Sequence, residues 1–335
     1  MLYPLTFHPI HVARIWGGGH IAPPKDGIPV GESWLVSPLA GCESVVANGR
    51  LKGLTLGQVC NEYPEELFGQ LWRNEPRSQV FPLLIKLIDT VQPLSVQVHP
   101  DDSYARRHGE PNGKSEAWYI LDAQPGSTIL LGLKEAVDYE EIREAVRSGT
   151  LPRLLRELPA IPGECYHVPA GEMHSVGGGI RLIEVQQPSD RTFRLYDWGR
   201  TDAGGRPREL HLQQGVEAAS CSPYPLGSGS RMVQARENTA QLVDDPHFTI
   251  SILQLSPRAE LATDGVPVVA IPMCPARVTT QSGDSLALAP LQAVLIPASV
   301  GGVDLEAKSG GRVLVATPAR QELREKYTLA DALHC

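Results

Sequence analysis

Apolar and polar positions alternate with a period of two through much of this chain. Short alternating or apolar runs recur at "PLLIKLID", "LSVQVHP", "EAWYILD", "STILLGL", "ECYHVPAG", "IRLIEVQQ", "TFRLYDWG" and "RELHL". They predict strands, because successive side chains of a strand point to opposite faces. Earlier, "VGESWLVS" and "ESVVANG" read as short strands, and "TLGQVCNEYPEELFGQLW" (residues 55–72) reads as helix with a break before Pro64. Between strands, residues 137–158 carry Ile142, Val146, Leu151, Leu154, Leu155 and Leu158, split by Gly149. That spacing predicts two short helices inserted into the β framework. Beyond about residue 240 the pattern is again strand after strand: "FTISILQL", "VPVVAIP", "ARVTTQSG", "LQAVLIPAS" and "GRVLVATP". The Gly/Ser/Pro-rich stretch "SCSPYPLGSGSR" (residues 220–231) reads as the linker between the two parts. The expected organisation is a mainly β first domain over residues 1–235, with its helical insertion at 137–158, and a second β barrel or sandwich over 240–335.

Composition narrows the class. The 335 residues are 42% hydrophobic and 20% charged, with a formal net charge of -8 and no Lys/Arg block, which argues against nucleic acid as a partner. Gly (32) and Pro (29) are frequent, in keeping with many turns. The N-terminus lacks the pattern of a signal peptide and no apolar run reaches about 18 residues, so a cytoplasmic protein without a membrane span is expected. The six cysteines are scattered and read as free thiols.

The alternation in "LSVQVHPDD" sets Leu94, Val96 and Val98 on one face and Ser95, Gln97 and His99 on the other. A strand with one apolar face normally turns the other to water, yet this face carries an amide and an imidazole two residues apart. Downstream, "GECYHVPAGEMH" places Gly163 six residues before Pro169, then Gly171, then His174. This spacing resembles the second signature of the cupin barrel, in which a Pro-x-Gly turn presents a histidine inward. "QVH" then stands where the first cupin signature supplies His-x-His, with Glu116 of "GKSEAWYIL" on the adjacent strand. The candidate ligand set is Gln97, His99, Glu116 and His174. Two imidazoles, a carboxylate and an amide oxygen suit a divalent ion, most naturally one Zn2+ per chain. His8, His11, His20, His108, His211, His247 and His334 read as surface or core residues, and Asp101 and Asp102 as a turn cap.

"FPLLIKLID", "PLSVQVHPDD", "GKSEAWYIL", "VPAGEMHSV" and "IEVQQPSDRTFRLYDWGR" resemble, in order, the type I mannose-6-phosphate isomerases in their compact bacterial form; "RIWGGG", "GESWLVS" and "RELHL" fit as well. The resemblance covers residues 1–220 well and the remainder loosely. It implies a cupin (jelly-roll) barrel with a helical addition and a second barrel, and zinc held by the same four residues. It implies interconversion of mannose 6-phosphate and fructose 6-phosphate through a cis-enediol, in a monomer or small homo-oligomer. A non-catalytic sugar-phosphate-binding cupin is the alternative, and an iron-dependent oxygenase is disfavoured by the glutamine ligand.

That reaction needs a Lewis acid, a proton shuttle and a phosphate anchor. Glu184, a carboxylate inside an apolar strand, is the candidate acid/base, with a salt bridge to Arg181 or Arg194 as the ordinary reading. Arg194 resembles the family's catalytic arginine. Lys114 and Ser95 share faces with Glu116 and Gln97 and are candidates for holding the phosphate, with Lys114 a candidate for catalysis as well. Lys86, a cation inside an apolar strand, either pairs with an acid or serves the site. The "PSDR" connection predicts that the strands of Glu184 and Arg194 pair antiparallel. In the C-terminal part, aligning "LQAVLIPASVGG" on the Pro-x-Gly segment puts Ser299 on Gly171 and Gly302 on His174, so no metal is expected there.

Overall fold

The structure, a computed structural model, describes residues 2–69, 80–201, 205–225, 233–236 and 238–319. The chain is mainly β and divides into two units: His11–Trp34 with Ile85–Ser230, and Met1–Ile10 with Leu35–Leu84 and Arg231–Cys335. The linear division near residue 235 therefore coincides with only the last crossing between units. The physical reason lies in Leu5–His8, whose Leu5 and Phe7 bury their side chains: this strand pairs with Val294–Ile296 on one side and Val45–Val46 on the other.

The first unit contains a six-stranded and a five-stranded antiparallel sheet. The larger runs Cys165–Val168, Glu116–Ala123, Ile180–Gln186, Leu84–Thr90, Val30–Val36, Ile10–Ala13; the smaller runs Phe193–Tyr196, Val96–Val98, His174–Val176, Thr128–Leu133, Leu155–Pro159. Their facing surfaces share one apolar core, built from Ile88, Trp118, Ile120 and Leu182 of the first and Ile129, Leu131 and Val176 of the second. Neither sheet closes on itself, so a closed barrel is replaced by two facing sheets joined by crossing connections, as in a double-sheet jelly roll. The second unit repeats the plan with an eight-stranded and a four-stranded sheet around Leu253, Val268, Val278, Leu305 and Val313, and is likewise open.

The outer face of the five-stranded sheet is covered by helices. Tyr139–Arg147 starts at Asp138, whose carboxylate accepts from the Glu140 and Glu141 amides while Glu141 answers with its own side chain. Ile142, Ala145 and Val146 of this helix meet Val96, Val98, Phe193 and Leu195. Each fully buried aliphatic side chain there contributes roughly 1.5–3 kcal/mol. The second predicted helix of the insertion is not formed. Gly149, in the left-handed region at φ +71, ends the first helix, a short 3-10 turn spans Leu151–Arg153, and Leu155–Pro159 pairs as an edge strand, Leu155 opposite Leu133.

"RELHL" is not a strand either. Arg208 is drawn to Asp197, and Leu212–Ala218 forms a helix against Phe193–Tyr196. Gly215 permits this approach: a Cβ there would lie 2.4 Å from Leu195 Cδ2. The expected helix over 55–72 starts at Thr55 with a capping box to Gln58 and breaks at Tyr63, before Pro64–Phe68; residues 70–72 lie outside the described residues. So does part of the linker, from 226 on. Among the described residues no helix is long and apolar enough to cross a membrane, and Cys42, Cys60, Cys221 and Cys274 are free thiols.

Candidate metal centre

Along three neighbouring strands of the six-stranded sheet the inward positions change from apolar to charged. They read Ile180, Leu182, Glu184, Gln186 on one strand, Glu116, Trp118, Ile120 on the next, and Leu84, Lys86, Ile88 on the third. The apolar ends belong to the core; the polar ends gather at one end of the facing sheets. In the opposite sheet Gln97 is paired with His174 on one side and Arg194 on the other, so these three side chains share a face. Val96 and Val98 point the other way, into the helix-covered core. The period-of-two reading of this segment thus places Gln97 inside.

His99, Glu116 and His174 converge there, all buried, with their ligating atoms within 4.8 Å of one another. The Nε2 atoms of both imidazoles lie 3.3 Å from the Glu116 carboxylate. Their Nδ1 atoms are engaged behind, His99 with the Arg191 carbonyl at 2.9 Å and His174 with the Glu172 carbonyl at 2.8 Å. Such backing fixes the tautomer and leaves Nε2 as a lone-pair donor facing the centre. The Gln97 amide reaches His174 Nε2 at 3.3 Å. Burial, with Lys114 adding to it, pushes His99 down to about 3, so the ring is neutral as a metal ligand must be. Glu116 is pulled well below the carboxylate range despite burial, chiefly by Lys114. Neither Glu116 oxygen receives an aligned hydrogen bond, although Lys114 Nζ lies 2.9 Å from Oε2. A fully buried carboxylate left that way, between two lone pairs, fits a cation.

The other predicted residues fall on the same two sheets. Lys114 Nζ also lies 2.9 Å from His99 Nε2, so this lysine sits on the ligand set itself. Ser95 is buried, its hydroxyl 3.5 Å from Gln97 Oε1. Lys86 pairs with Glu184 at 3.1 Å, and Trp118 Nε1 donates to the other Glu184 oxygen at 3.1 Å. Burial and Glu116 push Glu184 up, against Lys86 and Lys114. The expected pairing of the Glu184 and Arg194 strands is not found. The "PSDR" connection crosses from one sheet to the other, because Gln186 binds the Gln187 and Ser189 carbonyls and bends the chain away. Arg181 meets Asp122 instead. Arg194 donates to the Glu209 carbonyl at 2.9 Å, and burial with Arg208 nearby lowers its pKa. Asp101 caps the helix Asp102–Arg107, as read from the sequence.

Two groups were missed. Glu32 and Trp34 face inward beside Lys86; the signal was present in "VGESWLVS", where Glu32 sits among buried neighbours. Asp197, buried between Arg200 and Arg208, anchors the loop after Arg194, and no local pattern announced it.

Residues 13–127 match the family described as phosphomannose isomerase type I, catalytic domain. The chain is 39% identical over 263 residues to the mannose-6-phosphate isomerase ManA of Bacillus subtilis strain 168, covering 77% of this chain and 81% of that protein. It is similar to the crystal structure of the mannose 6-phosphate isomerase from Bacillus subtilis, with a TM-score of 0.82 and 29% identity over 94% of this chain and 99% of that one. The fold is shared with a zinc-bound mannose 6-phosphate isomerase structure at a TM-score of 0.75 and 16% identity, over 95% and 100% of the two chains.

Proposed function

We propose, from the premise that this chain belongs to the type I phosphomannose isomerases, that it interconverts mannose 6-phosphate and fructose 6-phosphate through a cis-enediol, using one zinc ion held by Gln97, His99, Glu116 and His174. The observation that carries the metal is the buried Glu116 carboxylate, 3.3 Å from two backed imidazoles and without an aligned donor. The donor set favours zinc over harder ions, and the zinc-bound relative of the same fold supports that choice. The first unit is read as the cupin-type jelly roll of the family and the second as its metal-free counterpart.

When bound, zinc supplies a Lewis acid for the substrate's carbonyl and hydroxyl oxygens. The remaining work falls to the chain. Glu184 takes the proton from one carbon and returns it to the neighbouring one; its raised proton affinity, set by burial and Glu116, suits that shuttle. Trp118 and Lys86 hold the carboxylate from two directions. Of the two roles read for Lys114, its place against Glu116 and His99 supports the catalytic one, donating to the substrate oxygens that carry developing charge. Arg194, on the same face as Gln97, stabilises that charge or the phosphate, with Ser95 beside Gln97. The apolar core behind Trp118 keeps water from the far side of the site.

The test is an isomerisation assay on the metal-loaded protein beside elemental analysis. Turnover of both sugar phosphates that is lost on chelation and regained with zinc supports the reading. Binding of sugar phosphate without turnover would favour the non-catalytic alternative.

A further inference from the structure

Side chains of alternating charge form a row across neighbouring strands of the six-stranded sheet. Glu184 stands on Ile180–Gln186, Lys86 on Leu84–Thr90 and Glu32 on Val30–Val36, with Arg14 just past Ile10–Ala13. The three inner members are almost completely buried, at 5%, 4% and 7% exposure. Lys86 Nζ touches Glu184 at 3.1 Å and lies 5.4 Å from the centre of the Trp34 ring on its other side. The indole N–H of that same Trp34 donates to Glu32 Oε2 at 2.8 Å, and Arg14 Nε donates to Glu32 Oε1 at 2.7 Å.

We infer that Glu32 is a positioning residue for the isomerase reaction, acting through Trp34 and Lys86 to set how strongly the Lys86 ammonium is held against Glu184. The inference rests on the acid/base role proposed for Glu184. An ammonium buried beside a single carboxylate would give that carboxylate its whole field and make it a poor proton acceptor. A second fixed anion on the far side of Lys86 divides that field. Glu32 suits the task because its own charge is secure. Burial raises its pKa, but Lys86 and Arg14 outweigh burial and hold it at about 2. Other charged groups face the same centre and are unchanged by any substitution at Glu32: Asp190 and Glu116 toward Lys86, and Glu116 and Lys114 toward Glu184. Glu32 also fixes the Trp34 ring against which Lys86 rests, so the ammonium cannot swing away from Glu184.

A double-mutant cycle on the zinc-loaded enzyme tests this. Glu32→Gln should lower kcat roughly ten- to a hundredfold, with KM within about threefold and zinc content unchanged. On a Lys86→Met background the same substitution should change kcat by less than about threefold, because the path it acts through is gone. Glu32→Asp, which keeps the charge, should recover part of the loss and guards against a merely misfolded variant. Equal losses in both backgrounds, or a KM effect with kcat intact, would overturn the inference. An active Glu184→Gln enzyme would sink the acid/base reading itself. An inactive Glu184→Gln beside a fully active Glu32→Gln would overturn this inference alone.

Discussion

Replacing Lys86 by Met should destabilise the protein more than any ordinary surface charge deletion. Lys86 and Glu184 are 3.1 Å apart and both are buried. At an effective dielectric of about 20 their attraction is about 332/(20 × 3.1), or about 5 kcal/mol, offset in the native protein by the desolvation of both groups. Met fills much of the lysine stem's volume but leaves Glu184 as an unmatched buried carboxylate. Removing one partner of such a pair costs about 3–5 kcal/mol. The loss should depend on pH in a defined direction. Burial and Glu116 already raise Glu184 above the ordinary carboxylate range, and deleting the lysine raises it further. A raised carboxylate binds more protons folded than unfolded, so stability returns as pH falls through the folded pKa toward the unfolded one. Urea denaturation of wild type and Lys86→Met at pH 8 and pH 5 measures this. A deficit that is large at pH 8 and smaller at pH 5 is expected, and Lys86→Met with Glu184→Gln should regain part of it. A loss below about 1 kcal/mol at pH 8 would place the pair in water and refute the argument.

Lys114→Met should reduce kcat by roughly a hundredfold or more while leaving zinc content near one per chain; loss of metal in parallel would make Lys114 a support of the ligand set only. Glu32→Gln should cost about 3 kcal/mol at pH 7, since a carboxyl held at about 2 against 4.5 stabilises the fold above its unfolded pKa. That deficit should shrink as pH falls from about 4.5 toward 2, and a deficit constant across this window in denaturation curves would contradict the assignment. Gly215→Ala should lower stability by about 1–3 kcal/mol, because its Cβ would press on Leu195 Cδ2 at 2.4 Å; an unchanged melting temperature would show that the helix yields freely.

Strand periodicity made the site legible to different depths. Gln97 and His99 could be placed because a period of two needs only local sequence, and the backbone pairing of Gln97 with His174 follows the same alternation. The Pro-x-Gly turn before His174 and the apolar flanks of Glu184 were likewise local signals. What failed was non-local. Which strands pair is decided by core burial across the chain, so the Glu184 and Arg194 strands were joined into a hairpin that the Gln186 hydrogen bonds prevent. Leu154–Leu158 carries apolar spacing compatible with helix or strand, and only the free edge of Thr128–Leu133 decides for strand. The Leu5–His8 strand pairs with Val294–Ile296, almost 300 residues away in sequence, and with Val45–Val46 on its other side, and nothing local marks either partner. Glu32 carried a visible signal, an acid among buried neighbours, but its meaning depends on Lys86, which stands on the neighbouring strand of the sheet and far away in sequence.

In the proposed reaction one zinc ion sits among Gln97, His99, Glu116 and His174, and the isomerase depends on it. Anomalous diffraction at the zinc edge, from crystals of active protein, tests it most directly. A single strong peak is expected between His99 Nε2, His174 Nε2 and the Glu116 carboxylate, with the Gln97 amide as fourth neighbour. A fully active enzyme with no peak there, or with its metal elsewhere in the chain, would contradict it.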